Sequence, residues 1–262
     1  MMMVSHVIPT RNQAGFIRRC LDSCLAQTFP GREVIVVDGL STDGTQEVLG
    51  SYGEQVRWIS EADGGQSDAV NKGVRLAQGD VIAWINSDDF YADEHVIERV
   101  MSPFEADPEL DIVYGDGLQV DMHDRAIKAQ RAKPLRRAEE LLVAPSSLVM
   151  QPAVFFRKEL FLAVGGLDPE LHWAPDYDLW LRLFPAARRT LHIPEVLACA
   201  TYHPGAKSVR GMLPHIREVC WLKFRYTRSL HLNGSERLLT VAGMGALYAY
   251  LLAVKLGLRR AY

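Results

Sequence analysis

The run Asp80-Val81-Ile82-Ala83-Trp84-Ile85-Asn86-Ser87-Asp88-Asp89 brings two adjacent carboxylates to the end of an apolar stretch. Consecutive apolar residues between polar ones have the pattern of a strand covered on both faces, as in a parallel sheet between helices. In open α/β sheets ligands bind beyond the carboxyl ends of the strands, so Asp88 and Asp89 point toward a site. A carboxylate pair there suits a hard divalent cation such as Mg²⁺ or Mn²⁺. The competing reading is a solvated turn opening a helix near residues 93–101.

Other strand ends carry polar residues too. Thr10, Arg11 and Asn12 follow the apolar run Val4 to Ile8, and Asp38 follows Val34 to Val37. Neither G-x-G-x-x-G nor G-x-x-x-x-G-K-[ST] is present, and Pro9-Thr10-Arg11-Asn12-Gln13-Ala14-Gly15 holds a single glycine. Phosphates bound here would therefore be neutralised by a carboxylate-held cation in place of a glycine cradle. The missing Gly-rich basic loop also weighs against a nucleotidyltransferase.

The elements that must position these ends alternate. Strands are expected at 4–8, 34–37, 56–59 and 81–85, and helices at 16–26, 45–51 and 68–77, the last stopped by Gly79. Such alternation predicts a right-handed, mostly parallel α/β sheet through roughly residue 110. Phe16, Ile17, Cys20, Leu21, Cys24 and Leu25 recur at helical spacing, which puts both thiols on the buried face. A zinc site combining Cys20 and Cys24 with Cys199 and His203 fits no compact ligand spacing.

The chain has 262 residues, 48% of them hydrophobic, enough for a substantial core. A formal net charge of -3 with scattered basic residues gives no support to nucleic acid as a partner. The start lacks the charged n-region and long apolar core of a signal peptide, so a cytoplasmic setting is expected, with the inner face of the plasma membrane as one location.

Several stretches together resemble the inverting family 2 glycosyltransferases of GT-A fold. They are Val7-Ile8-Pro9-Thr10-Arg11-Asn12, Val36-Val37-Asp38-Gly39-Leu40-Ser41-Thr42-Asp43-Gly44-Thr45, Gly64-Gly65-Gln66-Ser67-Asp68-Ala69-Val70-Asn71-Lys72-Gly73 and Asn86-Ser87-Asp88-Asp89. Gln151 to Arg157, Gly165 to Asp168 and Asp176 to Leu183 extend the resemblance over about residues 4 to 205, in the family's order. It implies a GT-A domain over 1–205, an appended helical extension over 206–262, and transfer of a sugar from a nucleoside diphosphate (UDP, dTDP or GDP) to a glycan or lipid-linked hydroxyl.

Carried over by position, the resemblance implies nucleotide and donor contacts at Pro9, Thr10, Asn12, Asp38, Gln66, Asp68, Lys72, Asn86, Ser87 and Asp88. Asp38 would accept hydrogen bonds from a base and a ribose, or simply form a turn before Gly39. Lys72 would face a phosphate, or pair with Asp68 four residues earlier. Asn86-Ser87-Asp88 occupies the place of the family's D-x-D with an uncharged first residue, which moves metal coordination onto Asp88, with Asp89 nearby and His203 aligned with a position that supplies another metal or phosphate contact. The alternative is a nucleotide-sugar-binding scaffold that lost turnover when that position became Asn86. Asp176 is the implied general base, placed by Pro175 at the start of a helix. Asp178, two residues on, faces elsewhere, and Trp173 is the better stacking candidate while Trp180 reads as core.

Arg131, Lys133, Arg136 and Arg137 could face an anionic acceptor such as a lipid pyrophosphate, or water. Beyond residue 205, an aromatic and basic helix is expected at 212–230. A second, uncharged one at 238–254 falls short of the roughly 20 residues of a comfortable span. It could lie on anionic lipid, pack on the domain or a second subunit as a homodimer contact, or cross the bilayer.

Overall fold

The computed structural model describes residues 2–255 apart from 136, 138, 145, 146, 208–210 and 228–233. One sheet of nine strands runs through it in the order β3 (Arg57–Ser60), β2 (Arg32–Asp38), β1 (Val4–Thr10), β4 (Val81–Trp84), β8 (Val154–Arg157), β6 (Leu110–Val120), β9 (Arg189–Thr201) and β5 (Phe90–Tyr91). The remaining strand, β7 (Ala126–Gln130), pairs with β6.

Strands β3, β2, β1 and β4 are parallel, as the alternation predicts. Beyond β4 the sheet departs from a simple series. β8 runs antiparallel between β4 and β6, and β9 then rejoins β6 in parallel. The pairing is long-range, so no local periodicity announces it.

The alternation of side chains along the strands builds two cores. On β1 and β4, Val4, Ile8, Val81 and Ala83 enter the layer covered by α1 (Ile17–Leu25), α2 (Thr45–Gly50) and α4 (Val96–Ala106). Val7, Ile82 and Trp84 enter the opposite layer, under α3 (Gln66–Leu76), α6 (Lys158–Ala163) and α7 (Pro175–Ala186). Each fully buried aliphatic or aromatic side chain contributes roughly 1.5–3 kcal/mol relative to exposure. Trp180 lies in the second core among Trp84, Phe156 and Phe184. Cys20 and Cys24 face the first core, and all four cysteines are free and buried.

Residues beyond the sheet are docked against it. α8 (Met212–Thr227) sends Leu222, fully buried, into the same core as α7, and buries Lys223 against the carbonyls of Leu142 and Ala144 at the end of α5 (Glu139–Val143). Among the described residues, no helix is long and apolar enough to cross a membrane, α9 (Gly234–Lys255) included. Arg136 and the stretch from 256 onward lie outside the described residues.

Candidate active site

Thr10 and Asp38 are register partners at the ends of β1 and β2, and β4 stops one strand over, so the polar ends meet at one edge of the sheet. Two cavities of about 280 Å³ each open there. Gln66, Asn86, Asp88 and Lys207 line both and form the boundary between them. Pro9, Thr10, Arg11 and Ser87 belong to the second cavity, whereas Trp173 and Asp176 belong to the first.

Asn86 is the hub of the boundary. Its Oδ1 accepts from Gln66 Nε2 at 2.7 Å and Trp84 Nε1 at 3.2 Å. Its Nδ2 donates to Gln151 Oε1 at 2.8 Å and Asp89 Oδ2 at 3.3 Å. A carboxylate could fill only the accepting half of that role. The amide at the first D-x-D position is therefore built into the wall of the site.

Asp88 and His203 converge, with His203 Nε2 3.1 Å from the Asp88 carboxylate and the imidazole ring against Phe16 at 4.3 Å between centroids. Asp89 turns inward instead. It is buried and accepts from Thr201 N–H and Asn86, and burial, with Asp88 beside it, pushes its carboxyl well above the usual carboxylate range. Thr201 also donates its hydroxyl to the Asp88 carbonyl, so the last residue of β9 holds both aspartates. Asp88 and His203 suit a hard cation whose remaining ligands come from substrate phosphates. Among the described residues, no group of three or more His, Cys, Asp or Glu side chains is placed to hold a metal ion.

Half-buried at the start of α7, Asp176 lines the first cavity, and its carboxylate has no hydrogen bond or ion pair among the described residues. Pro175 at the first helical turn has no N–H to satisfy. The amides before it are satisfied from α8: the Glu218 carboxylate accepts the N–H groups of His172, Trp173 and Ala174 at 3.2, 2.7 and 2.5 Å. Nearby, His215 Nδ1 lies 2.8 Å from the Trp173 carbonyl. Asp178, by contrast, is buried on the far side of α7, paired with Arg182 at 2.6 Å and hydrogen-bonded by the Tyr226 hydroxyl.

Other expected donor contacts stand elsewhere. Asp38 is fully buried and lines neither cavity; its oxygens accept from Ser41 and, at 2.6 Å, from the Ser60 hydroxyl. Asn12, at φ 54°, ties loops together by accepting the Thr42 N–H. Asp68 and Lys72 form the i,i+4 pair at 3.1 Å, with Glu61 adding a second carboxylate to Lys72 at 2.9 Å, and neither side chain lines a cavity. The Gly64 N–H and Lys72 hold the Asp68 carboxyl below its ordinary value.

Sequence reasoning missed Lys207. Its Nζ donates to Gln66 Oε1 at 2.9 Å, placing an ammonium at the boundary. Desolvation lowers its pKa, against the upward pull of Asp176 and Glu218. Its one legible signal is a basic residue two positions after the Pro204-Gly205 turn that follows the last strand. Glu218 and the Gln151 amide gave no local signal of their roles.

Residues 5–162 match the family model described as glycosyl transferase family 2. An uncharacterized glycosyltransferase of Rickettsia conorii is 29% identical over 257 residues, covering 94% of this chain and 41% of that protein. The chain spans between 28% and 58% of the length of the first curated relatives it matches. Among solved structures, Staphylococcus aureus TarS 1-349 in complex with UDP-GlcNAc has a TM-score of 0.76 at 18% identity, over 99% of this chain and 77% of that one. The mannosyltransferase PcManGT of Pyrobaculum calidifontis, in complex with GDP-Man and Mn²⁺, has a TM-score of 0.66 at 19% identity, over 97% and 75%.

Proposed function

The chain belongs to glycosyl transferase family 2 and is a glycosyl-transferring enzyme, and we propose that it moves a sugar, with inversion, from a nucleoside diphosphate to an acceptor hydroxyl. The observation that carries this reading is the division of labour across the Gln66–Asn86–Asp88–Lys207 boundary. A carboxylate with no partner among the described residues, Asp176, lies on one side, and the strand-end cavity with Pro9, Thr10 and Ser87 lies on the other.

The donor nucleotide occupies the second cavity with its diphosphate at the boundary. Asp88 and His203 would hold a divalent cation, Mn²⁺ or Mg²⁺, which supplies neutralisation of charge on the departing diphosphate. Lys207 adds a positive charge beside Gln66 on the same leaving group. From the first cavity the acceptor oxygen attacks the anomeric carbon as the carbon–oxygen bond to the diphosphate breaks. The hydroxyl proton passes to Asp176. General-base assistance of this kind is worth about 10²- to 10⁴-fold. The bound nucleotides of the TarS and PcManGT complexes support a nucleotide-sugar donor, and the Mn²⁺ of the second supports the cation.

Asp176→Asn tests the reading directly. Transfer is expected to fall by about 10²-fold or more, while nucleoside diphosphates in the presence of Mn²⁺ still raise the melting temperature. Near wild-type transfer by the variant sinks the assignment of the base.

A further inference from the structure

We infer that the acceptor is an uncharged saccharide, gripped by Trp173 and by the amides of Gln119 and Gln130, and not a phosphate or pyrophosphate carrier. The inference rests on the transfer reading above and names the substrate class of its first cavity.

The wall around Asp176 is made of amides, a hydroxyl and apolar surface: Gln119, Gln130, Ser147, Met150 and Trp173. Sugars present hydroxyls at their rims and C–H groups on their faces. Side-chain amides both donate and accept, and an indole supplies flat apolar area, so this lining matches both parts. The side chain of Gln119, on β6, makes no hydrogen bond among the described residues, leaving its amide open to a ligand. Gln130, on β7, is oriented by donating to the Ser147 carbonyl at 3.1 Å. Trp173 is braced from behind: Gly211 sits so close that a methyl group there would lie 1.6 Å from the indole ring. Only glycine at 211 lets the chain entering α8 pass this close to the ring.

Charge decides against an anionic acceptor. Asp176 is the carboxylate of this cavity that has no partner among the described residues, since Asp89 is turned inward onto Thr201 and Asn86, and Asp88 faces His203. Among the described lining residues, Lys207 is the one ammonium or guanidinium, and its Nζ is held by Gln66 at the boundary with the donor cavity. A phosphate brought beside Asp176 would face a like charge, with Lys207 and the cation already committed to the donor diphosphate and no other cationic side chain among the described lining residues. The basic run does not repair this. Arg131, Lys133 and Arg137 line neither cavity, and Arg137 is paired with Glu139 and Glu236.

The test is a glycan array carrying neutral, uronate-bearing, sulfated and phosphorylated chains, probed with the 262-residue chain in UDP, GDP or dTDP with Mn²⁺. Retention on neutral glycans is expected, reduced at least tenfold by both Trp173→Ala and Gln119→Ala. Gln119 holds nothing else in place, so its variant reports on recognition and not on folding. Retention on anionic chains alone, on no neutral glycan, or on neutral glycans undiminished in both variants overturns the proposal. A nucleotide-induced rise in melting temperature separates the two levels. A chain that responds to a nucleotide yet prefers anionic glycans loses only the acceptor class, whereas one that responds to no nucleotide loses the transfer reading itself.

Discussion

The Glu218 carboxylate accepts the Trp173 N–H at 2.7 Å across 45 residues of sequence, joining α8 to the loop that delivers Asp176. Because the same carboxylate also takes the His172 and Ala174 amides, it substitutes for the side-chain cap that α7 lacks. Glu218 is thus a positioning residue for Asp176, the proposed base. Glu218→Ala is expected to lower kcat by about 10- to 100-fold, since displacement of a reacting group by an ångström costs that order of rate. Nucleotide affinity should be unchanged, and Glu218→Gln, which keeps an accepting oxygen, should recover part of the rate. Equal losses in kcat and in nucleotide affinity would instead mark a general loss of folding.

Asn86 leads to a prediction against intuition. Restoring an acidic residue with Asn86→Asp is expected to destabilise the protein by about 1–3 kcal/mol, because the donor half of the amide is lost and a carboxylate then faces Asp89 and Gln151 Oε1. The loss should shrink as pH falls and the new carboxyl protonates. Urea unfolding at neutral and at acidic pH measures it, and an unchanged or raised midpoint at neutral pH contradicts the reading.

These cases show what could be read without coordinates. The strands β1 to β4 were legible because a doubly covered strand is a local apolar run, and the site's position followed because strand ends share one edge. The antiparallel entry of β8 was not legible, since Val81 meets Arg157 only through long-range pairing. At Asp38 the residue type indicated a ligand contact, but Ser60, from the neighbouring strand, occupies one of its oxygens. Lys72 illustrates the reverse: its partner Asp68 was visible at helical spacing, while Glu61, the nearer carboxylate, was not. Glu218 had no readable role because a cap supplied from another helix leaves no mark at the helix it caps.

Lys207 should be specific to phosphate. Removing its ammonium with Lys207→Met is expected to weaken nucleoside diphosphate binding by roughly 1.5–3 kcal/mol, about 10- to 150-fold. Binding of the corresponding nucleoside, which has no phosphate, should stay the same. Calorimetric titration of both ligands checks this, and an equal loss for both would move Lys207 out of diphosphate recognition.

Lys223 makes the docking of α8 sensitive to pH. The side chain is 2% exposed, and its ammonium donates to the Leu142 and Ala144 carbonyls at 2.6 Å each. Burial pushes its pKa down to about 8, whereas an unfolded lysine titrates near 10.4. Below about pH 8 both states carry the proton and the folded state bears the full cost of burying the charge. Between about 8 and 10.4 the unfolded chain binds more protons, so this group makes stability rise with pH, and above that range its cost is gone. Lys223→Met should remove that rise. The wild-type unfolding free energy is therefore expected to gain on the variant by on the order of 3 kcal/mol from pH 7.5 to 10.5. A difference that stays constant across that range would mean that the ammonium is as well solvated on α8 as in the unfolded chain.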